Sequence, residues 1–253
     1  MTAVLYDGSF EGLLTAIFEI YEYKFTDPNI SQIGKGASSL FGEKHIVHSS
    51  SEKAERVLIK LRSHLSAFVC KKIYEVYLSE VDGIENALLR FIQYGLKAGK
   101  AACDDFSHEA VLTIHQTLKK VHRERHRMEA FIRFQQSSDG LYFATVAPDF
   151  DVLPLISKHF SSRYADQRWL IFDNKRKYGI YYNLSEVSLI EKSPSEENTS
   201  GLTPAISLHE EEVKFQELWQ QYFKSVNIKE RKNTALHVRH MPRRYWRYLT
   251  EKL

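Results

Sequence analysis

The chain has 253 residues, 43% of them hydrophobic and 13% aromatic, which excludes a disordered polymer and allows a full core. Its two cysteines, Cys70 and Cys103, exclude a disulfide framework, a four-cysteine zinc site and a locally held iron–sulfur cluster. The net charge is only +3, so any nucleic-acid signal must lie in how the charge is distributed.

Ala3 to Tyr6 reads as a short strand that ends at the Asp7-Gly8 turn. Phe10, Leu13, Leu14, Ile17, Phe18 and Tyr21 then recur at helical spacing, with Asp7 or Ser9 as the cap. Residues 27–44 are rich in Gly and Ser and read as a loop; the GKGASS run within them lacks the spacing of a phosphate-binding loop. His45 to His48 reads as a strand, and Ser49 with Glu52 as a capping box for the helix carrying Val57, Leu61 and Leu65. Further helices are expected from Ser66 to Ser79, from Asp82 through Leu96, and from Phe106 to about Arg127. Ala130, Ile132 and Phe134 alternate as a strand paired with Leu141 to Val146, and Val152 to Phe160 is a short helix. Trp169 to Phe172 and Tyr178 to Tyr182 form a second hairpin. The expectation is an α+β fold, mostly helical, with a central antiparallel sheet of order β-β-α-β-β around residues 128–184. One domain is expected over 1–253, with mobile loops at about 27–44 and 192–206. A capping box at Ser207 and Glu210 opens an amphipathic helix bearing Phe215, Leu218, Trp219 and Tyr222. The opening MTAVLYDGSFEG does not read as a signal peptide, and no run of about 18 apolar residues reads as a membrane span. With so little cysteine, a cytoplasmic protein is expected.

Charge is the first candidate for chemistry. Lys119, Lys120, Arg123, Arg125 and Arg127 crowd one helix end against Glu124. Arg163, Arg168, Lys175 and Arg176 sit at the junctions of the central sheet, and Arg243, Arg244 and Arg247 interleave with Tyr245, Trp246 and Tyr248. Clustered cations neutralise phosphates and release counterions, and a ring beside a cation can stack a base. Solvated helix faces and core aromatics are the plainer reading. His122 and His126 are one turn apart, but HRERH is not the zinc-protease HExxH, and no third ligand is evident. Asp7, Glu11, Asp149, Asp151, Asp166 and Asp173 lie at element ends, where carboxylates do acid–base work or simply form caps and turns. No catalytic residue, metal ligand or cofactor is assigned.

The segments YDGSFEGLL, AERV, HRMEAFIRF, LYFATVAPDFDVLPLISKHFSSRYADQRWLIFDNKRKYGIYY, LWQQYFKSVNI and RKNTALHVRHMPRRYWRYLTE together resemble one bacterial family assigned to DNA metabolism. Its members occur beside a radical-SAM protein assigned to DNA modification or repair. A related domain is fused ahead of a uracil-DNA-binding member of the uracil-DNA glycosylase superfamily. Nothing in this chain resembles the glycosylase's water-activating motif or the radical-SAM CxxxCxxC. The resemblance therefore implies an accessory that binds DNA, a radical-SAM partner or both; no membrane partner is expected, for want of a long apolar run. The expected nucleic-acid contacts are Arg123, Arg125, Arg127, Arg163, Arg168, Lys175, Arg176, Arg243, Arg244, Tyr245, Trp246 and Arg247. Two alternatives stand beside it: an enzyme acting on a base or nucleotide through Asp7, Glu11, His126 or Asp173, and an adaptor that docks a protein through the 208–226 helix or an exposed aromatic patch.

Overall fold

A computed structural model describes residues 2–35, 43–191, 208–225 and 234–252, the side chains of 223 and 224 excepted. The chain divides into two compact units, Met1–His122 and Arg123–Leu253.

The first unit contains β1 (Thr2–Tyr6), α1 (Phe10–Glu22), β2 (Pro28–Gln32), β3 (Glu43–Ile46), α2 (Ser51–His64), α3 (Ala67–Tyr77), α4 (Ile84–Ala98) and most of α5 (Glu109–Phe131). Its three strands form a parallel sheet of order β2-β1-β3. Parallel neighbours need a crossover, and α1 supplies the one between β1 and β2. Val4 and Tyr6 of β1 are fully buried against Leu13 and Ile17 of α1, Ile73 and Val76 of α3, and Leu88 and Phe91 of α4.

β2 corrects the loop expected at 27–44, of which 36–42 lie outside the described residues. Only Ile30 in PNISQ is apolar, so hydrophobic patterning could not show the strand. Its outer edge is completed by a side chain. Asn86 accepts from the Ile30 N–H at 2.9 Å and donates to the Ile30 carbonyl at 3.1 Å, as a neighbouring strand would. Of the two caps offered for α1, Ser9 is the one used, accepting from the Gly12 N–H at 2.9 Å; the cap of α2 differs by one residue from the expected Ser49 and is Ser50.

The second unit contains the end of α5, β4 (Gln135–Gln136), β5 (Tyr142–Val146), α6 (Leu153–Arg163), β6 (Trp169–Asp173), β7 (Tyr178–Tyr182), β8 (Val187–Glu191), α7 (Glu212–Ser225) and α8 (Thr234–His240). Two 3₁₀ segments, Arg243–Tyr248 and Thr250–Lys252, follow. The fold class is α+β, and the β-β-α-β-β order over 128–184 is present as β4-β5-α6-β6-β7. The sheet order is β4-β5-β6-β7-β8, and every pairing is antiparallel except β5 with β6. That pair is parallel because α6 carries the chain back before β6 begins.

The strand expected from Ala130 to Phe134 is absent: Ala130 and Phe131 end α5, and residues 132–134 join it without regular structure to the two-residue β4. Helical spacing wins there over alternation: Val121, Glu124, Met128 and Ile132 are all buried, at steps of three, four and four. Trp169 is fully buried, with the rings of Tyr182 at 5.4 Å, Phe160 at 6.1 Å and Phe134 at 6.4 Å. Gly179 fits β7 because a Cβ there would lie 2.9 Å from the Ile171 carbonyl oxygen. Ser207 and residues 192–206 lie outside the described residues. No helix among the described residues is long and apolar enough to cross a membrane.

Candidate nucleic-acid interface

The parallel pairing of β5 and β6 sets their carboxyl ends side by side, with Val146 in register with Asp173. The loop after β5, around Pro148 to Asp151, and the turn Asp173–Lys177 after β6 therefore meet. The Asn174 N–H donates to the Val146 carbonyl at 2.8 Å and fastens the two. Asp173 is fully buried and acts as the turn's organiser. Its Oδ1 accepts from the Lys175 N–H at 2.8 Å, and its Oδ2 accepts from Arg176 Nη1 at 2.7 Å. Arg176 Nη2 and Lys175 Nζ then donate to the Asp149 carbonyl at 3.2 and 2.9 Å, and Arg176 Nη1 donates to the Pro148 carbonyl at 3.2 Å.

The other side of the loop is held by α5 and the 3₁₀ segment Arg243–Tyr248. Glu124 is 1% exposed. Its Oε1 accepts from the Asp149 N–H at 2.9 Å. Its Oε2 accepts from Tyr245 Oη at 2.6 Å and Arg244 Nη2 at 2.9 Å, with Arg127 at 3.7 Å. Arg244 Nη2 also lies 2.8 Å from Asp149 Oδ2. A carboxylate so deeply buried is tolerable only with this many donors. The surroundings shift the titrating groups accordingly. Burial, reinforced by the hydrogen bond to Glu124, pushes the Tyr245 hydroxyl up. Burial and the Asp151 carboxylate push up Tyr178, whose hydroxyl donates to Asp151. Burial works against the Arg244 charge, but Tyr245, Glu124 and Asp149 outweigh it and hold the guanidinium protonated.

The structure thus brings Arg127, Lys175, Arg176, Arg244 and Tyr245 together around one loop, where they serve as internal struts. Arg125 lies 3.5 Å from Glu129, one turn along the same helix, without a directed hydrogen bond from its Nε. Arg163 and Arg168 sit elsewhere: Arg163 lies 5.8 Å over the Tyr164 ring, and Arg168 donates to the Asp139 carbonyl at 3.1 Å. Arg123, Arg243 and Arg247 are exposed and make no ion pair among the described residues. Arg243 and Lys252 lie 5.8 and 5.1 Å from the centre of the half-buried Trp246 ring, whose Nε1 donates to the Met241 carbonyl. Arg247 lies 4.9 Å over Tyr248. The segment RRYWRY therefore separates into two sets of side chains. Arg244 and Tyr245 anchor it, and Arg243 and Arg247 remain available to solvent beside aromatic rings.

Glu124 and Asp149 are the residues that sequence reasoning missed as organisers of this site. One signal was present: Glu124 is the lone acid in a cationic run and lies at helical spacing from the buried Val121 and Met128. The carboxylates considered for acid–base work are otherwise engaged. Asp7 accepts from Ser9 Oγ at 2.7 Å and Ser49 Oγ at 2.8 Å, and Glu11 accepts from Ser51 Oγ at 2.9 Å. The α5 histidines have separate neighbours. His122 is 2.8 Å from Glu75, His115 is 3.3 Å from the Cys103 carbonyl, and His126 points to solvent 3.9 Å from Glu129.

These features define an α+β protein whose mixed sheet ends in an arginine-clamped loop, with a cation- and aromatic-rich segment anchored beside it. Residues 82–251 match the family described as a domain of unknown function, DUF4130. That match covers more than half of the chain, and the chain belongs to this family. No curated protein matches it.

Proposed function

We propose that this chain is an accessory protein of DNA repair or modification that binds nucleic acid, works with a radical-SAM partner and acts in the cytoplasm. The observation that carries the nucleic-acid part is the division within Arg243–Tyr248. Arg244 and Tyr245 fix the segment to Glu124, so Arg243 and Arg247 are presented on an anchored backbone beside Trp246 and Tyr248. Anchored cations with adjacent rings suit a backbone phosphate and an unstacked base. Arg123 adds an exposed cation on α5. The family resemblance supports the DNA context and the radical-SAM pairing.

The test is a fluorescence-anisotropy titration of single-stranded and duplex DNA at two salt concentrations. Affinity around 10⁻⁴ to 10⁻⁶ M at physiological salt is expected for a sequence-independent contact. Reversing Arg243 and Arg247 to Glu leaves the Arg244 anchor in place. It should weaken binding and reduce the salt slope by roughly two, one for each lost phosphate contact. Unchanged affinity and slope would remove this segment from the interface. A second reading, a protein adaptor, is favoured by α7: Phe215, Leu218 and Tyr222 are 55%, 50% and 58% exposed on one helix. Co-purification with the radical-SAM neighbour together with no shift of any DNA probe would select that reading.

A further inference from the structure

In the first unit, α1, α2 and α4 border an open groove of about 870 Å³ that has no part in the nucleic-acid reading. Its floor is apolar, built from Ile17 and Phe18 of α1, Val57 and Leu61 of α2, and Ile92 and Leu96 of α4. Tyr21 and Ile59 on its margins are 48% and 58% exposed, an arrangement that leaves large apolar side chains in water. One rim is built differently. Arg56, Lys60 and His64 of α2 also line the groove, and a spacing of four puts them on one ridge of that helix. Arg56 rests 4.8 Å over the Phe18 ring, and neither Arg56 nor Lys60 makes an ion pair among the described residues. On α1, by contrast, Glu22 is already 3.5 Å from Lys53.

We propose that this groove docks an amphipathic helix of a partner protein, with an apolar ridge on the floor and a row of carboxylates facing Arg56, Lys60 and His64. The three positions extend over roughly 12 Å at the rise of an α-helix. A single acidic headgroup on an apolar tail answers one of them, whereas glutamates at i, i+4 and i+8 of a helix answer all three. The apolar floor supplies the affinity, and the rim sets orientation and rejects basic helices.

The test uses the full chain with isotope-labelled methyl groups and two helical peptides. They share one apolar ridge and differ in carrying Glu or Lys at the three rim-facing positions. The Glu peptide should shift the methyl signals of Ile17, Val57 and Ile92, and its binding should weaken as salt rises. The Lys peptide should bind at least tenfold more weakly. Arg56→Glu with Lys60→Glu should reverse that preference. If the double variant fails to fold, Ile59→Ser at its exposed position should still weaken the Glu peptide. Equal binding of both peptides, no methyl shift with either, or saturation of the groove by dodecanoate in preference to the Glu peptide would overturn the proposal. The DNA titration is read separately, so failure of one leaves the other standing.

Discussion

Asp7 follows β1 in the first unit and Asp173 closes β6 in the second, and the two carboxylates are satisfied by different chemistry. Asp7 is exposed and takes its hydrogen bonds from Ser9 and Ser49. Asp173 is buried and takes them from the Lys175 backbone and the Arg176 guanidinium, which reaches on to the Pro148 and Asp149 carbonyls. Across the same loop, the buried Glu124 gathers Arg244, Tyr245 and the Asp149 N–H. Hydroxyl donors at a wet surface are readily replaced by water. Guanidinium donors around a buried carboxylate are not, because losing one partner leaves an uncompensated charge. Arginines in this family member thus have two uses, holding the loop together and facing solvent.

The largest effect that separates these networks is expected from Glu124→Ala. It leaves the Asp149 N–H and the buried Tyr245 hydroxyl without their acceptor, at about 1–3 kcal/mol each, while Arg244 keeps the Asp149 carboxylate. Urea unfolding measures the loss, and hydrogen exchange should place it in residues 123–252. Glu124→Gln keeps an acceptor and should lose less. A loss below about 1 kcal/mol for the alanine variant would show the hub to be replaceable by water.

How far this contrast was visible in advance depends on the range of each interaction. α1 was legible because Phe10, Leu13, Leu14 and Ile17 carry the helical period within one stretch. The second hairpin was legible because Trp169–Asp173 and Tyr178–Tyr182 are short apolar runs on either side of one turn. β2 was not, since Asn86, far along the chain, completes its edge. The arginine clusters were visible as composition, but their division was not. Nothing local distinguishes Arg243 from Arg244, and the partner that does, Glu124, is 120 residues from Arg244. The parallel β5–β6 pairing likewise depends on where α6 returns the chain, a tertiary outcome that alternation of side chains does not encode.

A smaller effect is expected at the hydroxyl-built end. Ser9→Ala removes the α1 cap and one donor to Asp7, and should cost about 1 kcal/mol, the usual value for losing a side-chain N-cap. Thermal unfolding followed by circular dichroism reads it. A cost approaching that of Glu124→Ala would contradict the division between water-replaceable and irreplaceable networks.

The smallest effect is in titration. Partial burial raises the Asp7 carboxyl, but hydrogen bonds from the Ser9 hydroxyl and N–H and from Ser49 outweigh it and hold the group below the usual aspartate value of about 3.9. A carboxylate depressed in the folded state contributes stability that is present above its unfolded pKa and is lost as pH falls through its folded pKa. The acid-side loss from Asp7 should therefore begin near the ordinary aspartate range and be complete only below it. Carboxyl-carbon NMR should find its midpoint on the acid side of 3.9, and Ser9→Ala with Ser49→Ala should move it back up. A midpoint at the ordinary value in the unaltered chain would mean that water, and not the two serines, supplies the donors in solution, which would make this end of the sheet wetter still than the Asp149 loop, whereas a midpoint above it would mean that burial outweighs the serines.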